Sequence, residues 1–317
     1  MFEQTKLAYI FPGQGVQYVG MGRNIYDGSE AARKVFKQAD EVLGFSLSEL
    51  CFYGPDNKLR QTINAQPAIV TVSLAILSAL NNSEDAKSMP APTFVAGHSL
   101  GEYTALAAAG VVDFSTTIYL TRERGRLMDQ AGSENPGGMA AIIGLDEASL
   151  ADISEQSGVK IANFNCPGQL VISGDRKKLN KAIKLAEDRG ARRVVPLQVS
   201  GAFHTSYMQP ASNKLAEIIY GISFSTPQIP IIANTTASEI TTAEIAKDEL
   251  LNQLCNSVRW QHSIEYMINN GITTFVEIGP GNVLSGLIKR INRNIKTINI
   301  SDIETVTNLA NVLNQDS

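Results

Sequence analysis

Three short apolar runs in this chain stop at glycine-bearing turns, with helical patterns between them. Leu7 to Phe11 runs into Pro12-Gly13-Gln14-Gly15, Thr93 to Ala96 into Gly97, and Thr274 to Ile278 into Gly279-Pro280-Gly281-Asn282. Continuous apolar runs of this length read as strands buried on both faces, the kind that parallel sheets use under covering helices. In an open α/β sheet the loops at the carboxyl ends of the strands are where ligands bind. Ile229 to Ala233 is a fourth candidate strand, and Gln66 to Leu80 reads as a buried helix, apolar around much of its circumference.

The middle of the chain has a different rhythm. Gly138 to Ile143 reads as a strand, Asp146 to Gln156 as a helix, Lys160 to Phe164 and Gln169 to Ser173 as two strands, Asp175 to Arg189 as a helix, and Arg192 to Val199 as a strand. That order, βαββαβ, is the ferredoxin-like pattern. Gly132, Pro136 and Gly137 precede it and Gly201 follows it, which predicts a small inserted subdomain over residues 132–200.

Composition narrows the function. The 317 residues are 44% hydrophobic and 18% charged, with a formal net charge of -4 and no long run of one sign. A general nucleic-acid binder would need a dense basic face. Cys51, Cys166 and Cys255 are too few and too scattered for a disulfide framework, and no pair has zinc-finger spacing. The N-terminus carries Glu3 and Lys6 and lacks the build of a signal peptide. No uncharged apolar run reaches the ~18 residues that span a bilayer. A soluble cytoplasmic protein without nucleic-acid or membrane partners is expected, with a monomer as the default.

Gly97-His98-Ser99-Leu100-Gly101 follows a strand and precedes a helical stretch. This is the pattern of a nucleophile elbow, in which the serine hydroxyl stands exposed on a tight turn and the next residue offers its N–H to an oxyanion. A serine needs a base at neutral pH, and the chain has three histidines. His98 lies in the turn itself, where neighbours point apart. His262 falls near the start of a helix read as surface. His204 lies where the chain leaves the small subdomain, at the edge of the main sheet, and is favoured by elimination.

Asp113 to Ala131 reads as a helix with Asp113 as its N-cap. At ~100° per residue, Arg124 falls on the apolar arc with Phe114, Ile118, Leu120, Leu127 and Met128, whereas Arg122 and Arg126 fall on the polar side. A buried guanidinium is costly unless paired, and its planar fork suits a carboxylate. From the pattern, Arg124 either meets an acid of the protein or receives a carboxylate ligand, and the internal pair is slightly favoured.

Together these residues resemble the malonyl-CoA:acyl carrier protein transacylase family. The resemblance runs from Phe11-Pro12-Gly13-Gln14-Gly15 through Gly97-His98-Ser99-Leu100-Gly101-Glu102-Tyr103, Arg124-Gly125, Asn163 to Gln169 and Phe203-His204, to Gly279-Pro280-Gly281-Asn282-Val283-Leu284. It implies a hydrolase-like α/β large subdomain, residues 1–131 and 201–317, carrying the ferredoxin-like insert. It implies Ser99 as nucleophile, His204 as base, the N–H groups of Gln14 and Leu100 as oxyanion hole, Arg124 as the partner of the malonyl carboxylate, and the Gln253 main-chain carbonyl as the group that orients the histidine. No acidic third member is called for.

Phe203 resembles the malonyl-selective form of its loop, and Leu100 likewise. Gly201, the first residue of that loop, departs from the commonest polyketide form, which leaves the choice of malonyl over methylmalonyl open. The implied reaction carries malonyl from coenzyme A to the phosphopantetheine thiol of an acyl carrier protein, in fatty acid or polyketide synthesis, with no metal or redox cofactor. Two rivals remain at this point: a hydrolase of acyl thioesters, and a non-catalytic docking module for the carrier protein.

Overall fold

The computed structural model describes residues 6–83 and 90–309. The first five residues, on which part of the N-terminal reading rests, lie outside that set, as do both ends of the division drawn from the sequence. Among the described residues ten strands form two sheets. The larger contains β1 (Leu7–Phe11), β2 (Phe94–Gly97), β7 (Ile231–Ile232), β8 (Glu239–Ile240), β9 (Thr274–Ile278) and β10 (Lys296–Ile300), in the order β10-β9-β1-β2-β7-β8. Its neighbours are parallel except β7 and β8, which pair antiparallel at one edge.

β1 is central and buried throughout. Tyr9 and Phe11 face one apolar layer, which includes the Thr62–Asn81 and Phe114–Glu134 helices. Ala8 and Ile10 face another, which includes the Trp260–Asn269 and Val283–Ile291 helices. The period of two in the strand thus feeds two cores, one on each face.

The smaller sheet contains β3 (Gly137–Ile143), β4 (Lys160–Cys166), β5 (Gln169–Asp175) and β6 (Arg193–Pro196), all antiparallel, in the order β4-β5-β3-β6. The Glu147–Ser157 and Arg176–Asp188 helices cover one face through Leu150, Ile153, Leu179 and Ala182, packed on Ala140, Ile142 and Ile172. This is the ferredoxin-like arrangement. Asp146 and Asp175 cap those helices with their side chains, so the expected helix starts fall on the caps rather than on the first helical residues. β4 is also stitched to the large subdomain: Val258 donates to the Ala162 carbonyl at 2.8 Å, and Phe164 donates to the Val258 carbonyl at 2.8 Å.

Several elements differ from expectation. β10 and the short β8 have no counterpart in the sequence reading, because one mixes polar with apolar residues at a sheet edge and the other is two residues long. The apolar helix begins at Thr62 and ends at Asn81, 20 residues in all. In length and composition it is enough to cross a membrane, so the expectation that no such run exists is corrected. Most of it is buried inside the protein instead.

Pro67 lies inside this helix and has no N–H for the carbonyl four residues back. That carbonyl, of Ile63, accepts from Arg122 Nη1 at 2.9 Å. The Phe114–Glu134 helix approaches closely at this point. A Cβ on Gly125 would lie 2.7 Å from the Thr62 carbonyl oxygen and 2.8 Å from Ile63 Cα. A glycine after Arg124 is therefore what lets the two helices meet.

Candidate active site

The turn after β2 carries the serine. A Cβ on Gly97 would lie 1.9 Å from the Gly101 carbonyl carbon, and one on Gly101 would lie 2.1 Å from the Phe11 carbonyl oxygen. Both flanks of the elbow are closed to any larger residue, and the turn is pressed against the loop that follows β1. Ser99 has φ of 50° and His204 φ of 60°. Of the described non-glycine residues only Ala237 shares that left-handed region, and backbone strain of this kind gathers at functional sites.

Ser99 Oγ lies 2.9 Å from His204 Nε2. His204 Nδ1 faces the main-chain oxygens of Gln253 at 2.9 Å and Asn256 at 3.1 Å. Two carbonyls can only accept, so Nδ1 carries the proton and Nε2 is free to accept from Ser99. Asn234, just past β7, holds the elbow from outside: its Oδ1 accepts from Ser99 N–H at 2.7 Å, and its Nδ2 donates to the Gly97 carbonyl at 2.8 Å.

Arg124 comes to the same oxygen. Its Nη2 donates to Ser99 Oγ at 3.1 Å and to Gln253 Oε1 at 2.9 Å, and its Nη1 donates to Gln66 Oε1 at 2.9 Å. The guanidinium is 1% exposed and sits 5.4 Å from the centre of the Tyr103 ring. Its hydrogen-bond partners among the described residues are all neutral oxygens, and its buried Nε has none. The internal ion pair that the helical pattern slightly favoured is therefore not what holds it. The nearby buried acid, Glu102, makes no hydrogen bond to it; its charge acts on the guanidinium from beyond Gln253, whose Nε2 donates to Glu102 Oε2 at 2.5 Å. Burial pushes the Glu102 carboxyl well above the ordinary range and Glu249 adds to the rise, against hydrogen bonds from Asn234 and Gln253.

A cleft of about 420 Å³ opens over these groups. Gln14, His98, Ser99, Arg124, Phe203 and His204 line it from the large subdomain, and Met139, Ala141, Asn163, Asn165 and Val171 from the uncovered face of the small sheet. The backbone N–H groups of Gln14 and Leu100 donate to no main-chain acceptor among the described residues. His98 turns to Asn165, Nε2 to Oδ1 at 2.9 Å, and packs edge-on against Trp260. His262 lies outside the cleft against Phe164. Gly201 stands where a Cβ would meet Gly132 Cα at 2.9 Å, so its glycine serves the point where the chain enters and leaves the small sheet. Gln66, Glu102, Asn234 and Asn256 had no place in the sequence reading of the site. Gln66 carried one legible signal, an amide within an apolar helix.

Burial, and then the Arg124 guanidinium, push the His204 imidazole down to about 3. Between that value and the ordinary 6.5, the unfolded chain binds a proton here that the native protein does not. The stability owed to a neutral His204 is complete above pH 6.5 and is lost as pH falls towards 3. Denaturant titrations of the parent and His204→Gln should therefore show a stability difference that shrinks steadily below pH 6.5. A difference constant with pH would exclude the suppressed basicity. Among the described residues no cluster of His, Cys, Asp or Glu could hold a metal ion.

A serine on a strand-to-helix turn, with an imidazole and a buried cation on its oxygen, places the chain among α/β proteins whose candidate site lies at the carboxyl edge of a parallel sheet. Residues 8–311 match the acyl transferase domain family, and the chain belongs to it. It is 44% identical over 307 residues to malonyl CoA-acyl carrier protein transacylase of Bacillus subtilis (strain 168), covering 95% of each chain. It is 39% identical to the protein of the same name from Staphylococcus aureus (strain MRSA252), covering 95% of this chain and 97% of that one. A solved acyl carrier protein S-malonyltransferase from Vibrio cholerae superposes with a TM-score of 0.92 at 38% identity, over 96% of this chain and 100% of that one. A type II PKS acyl-carrier protein complex with its malonyl-transacylase matches with a TM-score of 0.93 at 37% identity, over 97% and 100%.

Proposed function

We infer that this protein is an acyltransferase that moves malonyl from malonyl-CoA to the phosphopantetheine thiol of an acyl carrier protein, through an ester on Ser99. The observation that carries this reading is the meeting of His204 Nε2 and Arg124 Nη2 on one oxygen, Ser99 Oγ. His204 takes the serine proton as Oγ attacks the thioester carbonyl, and the Gln253 and Asn256 carbonyls steady the imidazolium. The oxyanion takes the N–H groups of Gln14 and Leu100, each such donor contributing roughly 3 kcal/mol. The imidazolium then returns its proton to the departing coenzyme A thiolate. The carrier thiol repeats these steps in reverse and leaves with the acyl group.

The carboxylate of the substrate goes to Arg124. A buried cation held only by neutral oxygens, with an unused Nε donor, is an incomplete charge environment that an anion completes. The same cation disfavours uncharged acyl chains, which counts against a general thioesterase. A docking module would have no use for a Ser–His contact at 2.9 Å. Phe203 in the cleft wall crowds a branch on the acyl group, in keeping with malonyl selection. The reading includes no metal or redox cofactor, since the chain supplies each proton and the nucleophile, and it places a monomer in the cytoplasm.

The test is to load the protein with radiolabelled malonyl-CoA and then add phosphopantetheinylated carrier protein. Label should pass first to the enzyme and then to the carrier. Free malonate as the main product would favour a hydrolase, and no loading at all would favour a docking role.

A further inference from the structure

Glu102, in the first turn of the Gly101–Ala108 helix, is wholly buried, and the reaction derived above makes no use of it. Its oxygens take three donors. Oε1 accepts from the Asn234 main-chain N–H at 2.8 Å and from Asn234 Nδ2 at 2.7 Å, and Oε2 accepts from Gln253 Nε2 at 2.5 Å. A carboxamide has one oxygen and one NH2 group. Each amide that turns its nitrogen to Glu102 must therefore aim its oxygen elsewhere. Asn234 aims Oδ1 at Ser99 N–H, and Gln253 aims Oε1 at Arg124 Nη2. Gln253 Nε2 also reaches the Ser99 carbonyl at 2.9 Å.

We propose that Glu102 is a positioning residue that fixes which end of Gln253 faces Arg124, and so keeps the guanidinium ready for the substrate carboxylate. This rests on the reading of Arg124 as the malonyl partner. The geometry predicts an asymmetric failure in Glu102→Gln. The Oε1 place must stay an acceptor, because a main-chain N–H cannot rotate away from it. The new amide nitrogen therefore lands at the Oε2 place, against Gln253 Nε2. Gln253 has to turn over, and its NH2 then meets Arg124, donor against donor. The hold of Asn234 on Ser99 is left as it was.

The experiment measures kcat/KM for malonyl-CoA and acetyl-CoA, with Tm, in the parent, Glu102→Gln, Glu102→Asp and Gln253→Met. Glu102→Gln should lose about tenfold to a hundredfold more on malonyl-CoA than on acetyl-CoA, the scale of one mis-made buried hydrogen bond to a charge, because both thioesters share the lost hold on the Ser99 carbonyl but only malonyl-CoA needs Arg124. Glu102→Asp keeps both acceptors, so it should lower Tm yet hold the malonyl to acetyl ratio within about twofold of the parent. Gln253→Met should lower the ratio like Glu102→Gln, and it decides the matter if Glu102→Gln does not fold. Equal losses on both thioesters in Glu102→Gln, an equal shift of ratio in Glu102→Asp, or an unmoved ratio in Gln253→Met would overturn the proposal. A parent with no preference for malonyl would sink the Arg124 reading itself, whereas a parent and Glu102→Gln with the same strong preference would sink only the role of Glu102.

Discussion

Ser99→Ala should yield protein that carries no malonyl adduct by intact mass and transfers to the carrier at least about 10⁴-fold more slowly than the parent. The loss is large because the members of such a unit do not act additively. Without Oγ, His204 has no proton to take, and the acyl group has nowhere to rest between the two thiols. The fold should survive, because Ser99 is anchored by its main chain: its N–H by Asn234 and its carbonyl by Gln253. The strained φ of 50° belongs to the turn rather than to the hydroxyl. Any adduct that persists in the variant would move the nucleophile to another residue and break the mechanism.

Arg124→Ala should lower kcat/KM for malonyl-CoA by about 10³-fold, within the range for removing one member of a buried charge pair. Acetyl-CoA has no carboxylate to lose its partner, so its use should hold steady or rise. Preference would then invert rather than fade. A second consequence is independent of substrate. The guanidinium is the largest cause after burial of the suppressed basicity of His204, so the imidazole in the variant should titrate closer to its ordinary value. NMR titration of the His204 ring reads this directly. A variant with unchanged acyl preference would reduce Arg124 to a structural cation, one that ties the Phe114–Glu134 helix to Gln66. Arg124→Lys keeps the charge but not the fork and should fall between the two.

The two halves of the active site differ in how visible they were beforehand. The elbow is a local object. Its glycines are required by contacts of Gly97 with Gly101 and of Gly101 with Phe11, so the pattern Gly-His-Ser-Leu-Gly after a strand already implied the turn. Arg124 was legible as a misplaced cation because helical periodicity puts it among apolar neighbours, and it is 1% exposed. What holds it was not legible. Periodicity says that a charge is buried and does not say whether an acid or two amide oxygens meet it. Gln66 lies 58 residues away and Gln253 129 residues away.

The same contrast runs through the fold. The order of elements in the small subdomain followed from alternation of strand and helix patterns; that Asp146 and Asp175 are caps, with side chains that accept from N–H groups two or three residues on, came from the structure. The buried strand β1 was legible because all its residues are apolar, and β9 because Phe275, Val276 and Ile278 lead into a glycine-bearing turn. β10 was not, because an edge strand mixes polar with apolar residues. The Thr62–Asn81 helix shows the limit from the other side, since an uncharged apolar helix of that length suits a bilayer as well as a core. Only the sheet and the helices around it decide that it is buried in protein.

The local chemistry was thus written in the order of residues: a serine on a tight turn, a cation on an apolar face, two sheets of different rhythm. Those are set by interactions within a few residues, where backbone sterics and side-chain periodicity act directly. It took the folded chain to bring His204 to Ser99, to meet Arg124 with neutral oxygens, and to set Glu102 against the amides of Asn234 and Gln253. These contacts join residues far apart in the chain, and whether a buried polar group is satisfied depends on which distant partner the folded core brings to it.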